Sequence, residues 1–224
     1  MTAARVHVER VVSMPFDENS YIVQLADRSD CIVFDPGLEP ALILSYLDEQ
    51  ALAPAAILCT HGHSDHIAGN AALKRRWPEC PLVIGAGDAP KLTDPQLNLS
   101  AAFGVSLVSP PADRTVDDGD RFEAAAIELD VLAAPGHSVG HVVFLCRQAT
   151  PWRLFGGDVL FRGSIGRSDF PDGDFDALRR AIHDKLFTLP DDTIVYPGHG
   201  PETTIGREKR GNPFVGAPAG YRGN

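Results

Sequence analysis

Thr60-His61-Gly62-His63-Ser64-Asp65-His66 is the stretch on which the reading of this chain turns. It follows Ala55-Ala56-Ile57-Leu58-Cys59, a short apolar run of the kind that forms a buried strand. His61 and His63 are two positions apart, so in extended backbone both imidazoles point to one side. Asp65 and His66 sit on the turn that follows and can aim at a neighbouring point. Four nitrogen and oxygen donors within six residues, at the end of a buried strand, suit two metal ions rather than one. The plainer alternative is a solvated polar loop that happens to be rich in histidine.

Three distant residues share this setting. His137 follows a strand over 129–134 through Pro135-Gly136, Asp158 follows one over 153–155 through Gly156-Gly157, and His199 follows one over 193–196 through Pro197-Gly198. Each donor stands one tight turn beyond an apolar strand, where glycine lets the backbone come close to a site. One Pro-Gly-His alone reads as a turn, but three strand-end donors beside the cluster read as a metal centre. Imidazole and carboxylate without cysteine suit Zn²⁺, Fe or Mn²⁺ and not a thiolate-held structural zinc. Two metals sharing a water favour metal-assisted hydrolysis.

The 224 residues, 44% hydrophobic, suffice for one globular domain over 1–210 that buries roughly 70–75% of its unfolded surface. Twenty Lys and Arg against 30 Asp and Glu leave a net charge of −10, which excludes generic binding to nucleic acid or an anionic membrane. Residues 1–16 contain no apolar core of a secretory signal, and no run approaches the roughly 18 apolar residues of a membrane span. The cysteines, at 31, 59, 80 and 146, form no CxxC, which points to reduced, buried thiols in a cytoplasmic protein. Strands are expected over 5–13, 20–25, 31–35, 55–59, 82–85, 124–134, 141–147, 152–156 and 193–196, and helices over 40–50, 67–77 and 175–187. Signals over 89–116 are weak, and the Gly/Pro-rich tail 211–224 is expected to be loosely ordered. The element order implies an α/β architecture of two sheets with helices outside, not a βαβ barrel.

The HxHxDH run with its later His, Asp and His resembles the metallo-β-lactamase superfamily, over nearly the whole chain from Asp35-Pro36-Gly37 to Pro197-Gly198-His199. The resemblance implies an αββα sandwich, two mixed β-sheets with helices on the outer faces. It implies two divalent metal ions, zinc first with iron or manganese as alternatives. One would be held by His61, His63 and His137, the other by Asp65, His66 and His199, with Asp158 bridging. Within the superfamily, Gly163-Ser164-Ile165-Gly166-Arg167-Ser168-Asp169-Phe170-Pro171 and the run from Gly198 to Glu208 resemble glyoxalase II-like hydroxyacylglutathione hydrolases, in the short bacterial form without a C-terminal helical region. That likeness implies a hydrolase cleaving a small thioester such as S-lactoylglutathione through a bridging hydroxide, with Asp65 as both ligand and acceptor for the attacking water. The expected form is a monomer or small homo-oligomer. Arg167, nine residues after Asp158, is a candidate for binding a substrate carboxylate. The alternatives are an iron-dependent persulfide dioxygenase using His61, His137 and Asp158, and a lactonase.

Other signals have plainer readings. Gly136-His137-Ser138-Val139-Gly140 fits the serine-hydrolase elbow, but a strand rather than a helix follows it. His141 reads as a strand-start residue before a donor to the ligands, and His7 and His183 as structural or exposed. Cys59 reads as core, and Asp172-Gly173-Asp174 as a helix cap rather than a calcium loop. Arg207, Lys209 and Arg210 form a basic knot that either attracts an anionic substrate or is merely solvated.

Overall fold

The computed structural model describes residues 5–223. Residues 1–4, where the expected domain and the stretch read for a leader begin, and Asn224 at the end of the tail lie outside the described residues. A first sheet takes six strands in chain order: β1 (Val6–Ser13), β2 (Glu18–Leu25), β3 (Asp30–Phe34), β4 (Ala53–Cys59), β5 (Leu82–Gly85) and β6 (Arg114–Val116). β1, β2 and β3 pair antiparallel, and β3 to β6 pair parallel. The second half supplies β7 (Arg121–Ala124), β8 (Ile127–Ala133), β9 (Val142–Cys146) and β10 (Arg153–Gly157). A small hairpin of β11 (Leu160–Phe161) and β12 (Ser164–Ile165) follows, and then β13 (Ile194–Pro197) and β14 (Thr203–Thr204). The second sheet runs β14–β13–β10–β9–β8–β7, and its one parallel pair is β10 with β13.

Period-two alternation sorts the side chains into layers. In β9, Val142, Phe144 and Cys146 face the first sheet, while Val143 and Leu145 face the opposite way, against Leu178 and Ile182 of the helix Phe175–Asp184. The five α-helices among the described residues are α1 (Pro40–Glu49), α2 (Ser64–Ile67), α3 (Asn70–Arg76), α4 (Phe175–Asp184) and α5 (Ile205–Gly211). Ile43 and Leu47 of α1 and Leu73 of α3 pack on Val33, Ile57 and Cys59, on the outer face of the first sheet. Between the sheets Phe34 stacks on Phe155, ring centroids 4.2 Å apart, with Phe144 edge-on to Phe34 at 5.6 Å. Each of these buried phenylalanines contributes about 2–3 kcal/mol by leaving water. The result is the expected αββα sandwich, with both sheets mixed. No helix among the described residues is long and apolar enough to cross a membrane.

Three expectations need correction. The strand expected over 124–134 begins only at Ile127, as β8; it is one arm of a hairpin with the unexpected β7, turning at Ala125 and Ala126, which both take positive φ (50° and 57°). The helix over 67–77 is two pieces, and the first begins at Ser64. The tail beyond Gly211 is docked rather than loose. Val215 is fully buried, the Gly216 amide donates to the Asn212 carbonyl at 2.9 Å, and the Tyr221 ring lies 4.8 Å from Phe187 and 4.9 Å from His183. Apolar residues spaced through a Gly/Pro-rich segment found a groove beside α4 and α5 that composition does not announce.

Candidate metal centre

All the candidate ligands leave strand ends on one edge of the sandwich. β4 ends at Cys59, the chain bends at Thr60 and His61, and α2 begins after an extended His63, so Asp65 and His66 sit on the first turn of a short helix rather than on an open turn. The Ser64 amide at the start of α2 donates to the Asn98 carbonyl at 2.9 Å, which fixes the helix against the loop opposite. His137, Asp158 and His199 arrive from the turns after β8, β10 and β13. Gly198 is required by close approach: a Cβ there would collide with Asp158 Oδ1 and stand 2.6 Å from His66 Cε1. Gly157 combines φ +46° with a site where a Cβ would fall 2.8 Å from His141 Nε2.

The seven predicted donors converge in two sets. His63 Nδ1 lies 3.1 Å from His61 Nε2 and 2.9 Å from His137 Nε2. On the other side His66 Nε2 and His199 Nε2 are 3.4 Å apart, and Asp65 Oδ2 is 3.7 and 3.4 Å from them. Asp158 stands between the sets. Its Oδ1 is 3.5 Å from His66 Nε2, and its Oδ2 is 3.4 Å from His137 Nε2 and 3.5 Å from His199 Nε2. Within each set the donor atoms lie inside 4.8 Å of one another.

The residues fit a pair of divalent ions. Asp158 Oδ1 is buried without a hydrogen-bond partner, and such an orphan is costly unless something else satisfies it. The opposite ring nitrogens are occupied. His61 Nδ1 meets Thr60 Oγ1 at 3.1 Å, His66 Nδ1 meets Asp35 Oδ2 at 3.2 Å, His137 Nδ1 meets the Arg167 carbonyl at 2.8 Å and His199 Nδ1 meets the Phe16 carbonyl at 3.0 Å. An N–H donated outward at each leaves the Nε2 lone pair pointing inward, which is the tautomer a metal ligand needs. His63 is turned the other way, Nδ1 inward.

Electrostatics divides the site. Burial, reinforced by neighbouring imidazoles, pushes His61 well below the ordinary imidazole range and His63 down to about 2; burial likewise lowers His137. Burial would also lower His66 and His199, but Asp65, Asp158 and, for His66, Asp35 raise both. Burial would raise Asp65, yet His66 and His199 hold it well below the carboxylate range. The side of His61, His63 and His137 thus favours neutral imidazole, and the carboxylate-rich side favours positive charge.

Four residues outside the predicted ligand set hold this geometry. Asp35 accepts from the Thr60 amide and hydroxyl, both at 2.7 Å, and orients His66. Asp88 accepts from the Gly62 amide (2.8 Å), the Ser138 hydroxyl (2.6 Å) and the Gly140 amide (2.8 Å), tying the loop of His61 and His63 to the loop of His137. Asn98 is buried, its side-chain amide donating to the Lys91 and Leu107 carbonyls. His141, read from sequence as an ordinary strand-start residue, is buried and stacked on His61 with centroids 4.8 Å apart; its Nε2 accepts from the Asp158 amide at 3.1 Å. The Asp-Pro-Gly turn carried a signal for Asp35. Asp88 and Asn98 lie in segments with no pattern.

The centre floors an open cavity of about 450 Å³ that His63, Asp65, His137, Asp158 and His199 help to line. Arg167 is on its wall, as expected, but its guanidinium is held by Asp169 (Nε–Oδ1 and Nη2–Oδ2, both 2.9 Å) above the Phe170 ring. Arg207 and Arg210 line a different depression, and Lys209 and Arg210 pair with Asp191. Ser138 is a turn hydroxyl, and Asp174 caps α4 through the Ala177 amide.

The family model of the metallo-beta-lactamase superfamily matches residues 14–199, the span containing every one of these donors. The chain belongs to that superfamily. It is 37% identical over 202 residues to the probable metallo-hydrolase YqgX of Bacillus subtilis, covering 90% of this chain and 93% of that protein. It is 33% identical over 213 residues to the hydroxyacylglutathione hydrolase GloC of Haemophilus influenzae, covering 94% and 98%. The crystal structure of BLEG-1 B3 metallo-beta-lactamase superposes with a TM-score of 0.89 at 35% identity, covering 93% of this chain and 99% of that one. TTHA1623 in a di-iron-bound form superposes at 0.82 with 37% identity, covering 93% and 100%. Superfamily membership agrees with a donor set built for divalent metals.

Proposed function

We propose that this chain is a metal-dependent hydrolase of thioesters, with S-lactoylglutathione as the reference substrate. The observation that carries the reading is the pair of facing donor sets, Asp158 between them, at the floor of an open cavity. The step from hydrolase to thioesterase is supported by the 33% identity to GloC across 94% of the chain. The four reduced, buried cysteines support a cytoplasmic setting.

His61, His63 and His137 would hold one ion and Asp65, His66 and His199 the other, with Asp158 between. When bound, two such ions supply a Lewis acid for a carbonyl and acidify water at neutral pH. The protein's own contribution is orientation. Thr60, Asp35 and two backbone carbonyls lock four rings, and the Asp65 carboxylate is placed to accept a hydrogen bond from the attacking water. Water adds to the thioester carbon and the C–S bond breaks; one proton of that water goes to the departing sulfur and the other to solvent, giving a carboxylate and a thiol.

Loss of thioester absorbance on S-lactoylglutathione tests the reading directly. Asp158→Ala is expected to lose bound metal and at least about 10²-fold in rate together, with an unchanged circular dichroism spectrum. Full activity in that variant overturns the mechanism. Oxygen uptake with glutathione persulfide, in place of thioester cleavage, would assign a dioxygenase instead.

A further inference from the structure

We infer that the cavity above the metal centre selects substrates with an apolar arm, a medium-length aliphatic or aromatic group, in preference to the charged peptide of glutathione. The inference rests on the thioesterase reading for the reacting group and on the cavity itself for the arm.

Four phenylalanines from four separate segments build the walls: Phe16 before β2, Phe103 in the 3₁₀ turn Ser100–Phe103, Phe161 on β11 and Phe170 after β12. They are continuous with the donors. The Phe170 ring lies 5.1 Å from His63 and 5.5 Å from His137, and Phe161 lies 6.2 Å from His199. Phe16 places its carbonyl on His199 Nδ1 and its ring 5.5 Å from Phe103, so one residue joins the wall to the reacting centre. Leu99 and Ile165 complete the apolar lining.

These rings remain open to water: Phe103 is 65% exposed and Phe16 42%. Exposed aromatic surface at the mouth of a cavity is stabilised by whatever covers it, and about 450 Å³ is in the range of small-molecule sites. Glutathione would instead need cations for its carboxylates. Among the described residues the one Lys or Arg lining this cavity is Arg167, and the Nε–Nη2 edge of its guanidinium is taken by Asp169. The Asn98 amide is also spent, on Lys91 and Leu107. An apolar arm asks for none of these groups, and each methylene it buries is worth about a four-fold gain.

The test compares kcat/KM of the metal-loaded protein on S-acetyl-N-acetylcysteamine, S-hexanoyl-N-acetylcysteamine, S-hexyl thioacetate and S-lactoylglutathione. Calorimetric binding of the uncleavable thioethers S-ethyl- and S-hexyl-N-acetylcysteamine runs beside it. At least one hexyl-bearing thioester should exceed both the acetyl compound and S-lactoylglutathione by about 10-fold or more. Phe103→Ala should pull that ratio toward one. A flat series, or S-lactoylglutathione as the best substrate, overturns the inference and leaves the thioesterase reading standing. If no thioester is cleaved but S-hexyl binds about 10-fold tighter than S-ethyl, the thioesterase reading fails while the apolar preference holds. Equal binding with no cleavage overturns both.

Discussion

Asp88 shows how much of this centre depends on a residue that holds no ligand itself. One carboxylate accepts three hydrogen bonds from the two histidine loops and stands 3.3 Å from the ammonium of Lys91. Asp88→Asn leaves one oxygen for partners that now use two and removes the charge facing Lys91. We expect a cost of about 2–4 kcal/mol in urea unfolding and metal binding weaker by about 10–100-fold, measured by competition with a chromogenic chelator. Lys91 is in turn held by Asp172 at 2.7 Å. Burial would raise the Asp172 carboxyl, but the Lys91 ammonium and the Val139 amide lower it on balance. A carboxyl depressed in the folded state adds stability that is present above its unfolded value of 3.8 and is lost as pH falls below it. Asp172→Asn should therefore lower the melting temperature at pH 7, by about 1–2 kcal/mol of stability, and the gap to the parent should narrow below pH 3.8. The seven donors were legible residue by residue because metal ligation needs particular atoms at particular spacings. Asp88 and His141 were not, because hydrogen-bonding support can come from any polar residue the fold brings near.

At the scale of elements, strands with strong alternation matched their sequence signals, whereas turns without Gly, Asn or Asp did not. The β7–β8 turn places two alanines at positive φ, a conformation usually taken by Gly or Asn. Ala126 is exposed, so replacing it removes no packing. Ala126→Gly should stabilise the protein by about 0.5 kcal/mol, seen as a raised melting temperature, because relief of left-handed strain exceeds the added entropy of the unfolded chain. No local signal revealed this turn, so the expected strand ran back through it to residue 124 and β7 was missed. The histidine helix was displaced for a related reason. The Ser64 amide is satisfied by a carbonyl 34 positions away at Asn98, a partner no capping rule reads from neighbouring sequence.

For the whole molecule, the tail tests whether the expected domain boundary near residue 210 is real. Val215 is fully buried with Leu178, Leu186 and Ile205, and Asn212 links the tail to the cavity wall through the Ser164 carbonyl at 2.9 Å. Val215→Ala should cost about 2 kcal/mol in denaturant unfolding, where a loose tail would show nothing. The two sheets meet across Phe34, Phe144 and Phe155, and this stacked core sets the distance between the β4 and β10 ends from which His61 and Asp158 project.

The sequence by itself determined the two-sheet α/β architecture, the seven metal-binding candidates and their division into a local cluster and three strand-end donors. Those features depend on residue type and short-range periodicity. Only the tertiary structure decided that Asp88 and His141 brace the two sets, and that the cavity above is walled by phenylalanines while Arg167 pairs with Asp169. Those are contacts between segments tens of residues apart, and a chain specifies them through the summed packing of its core rather than through any pattern local to the residues that meet.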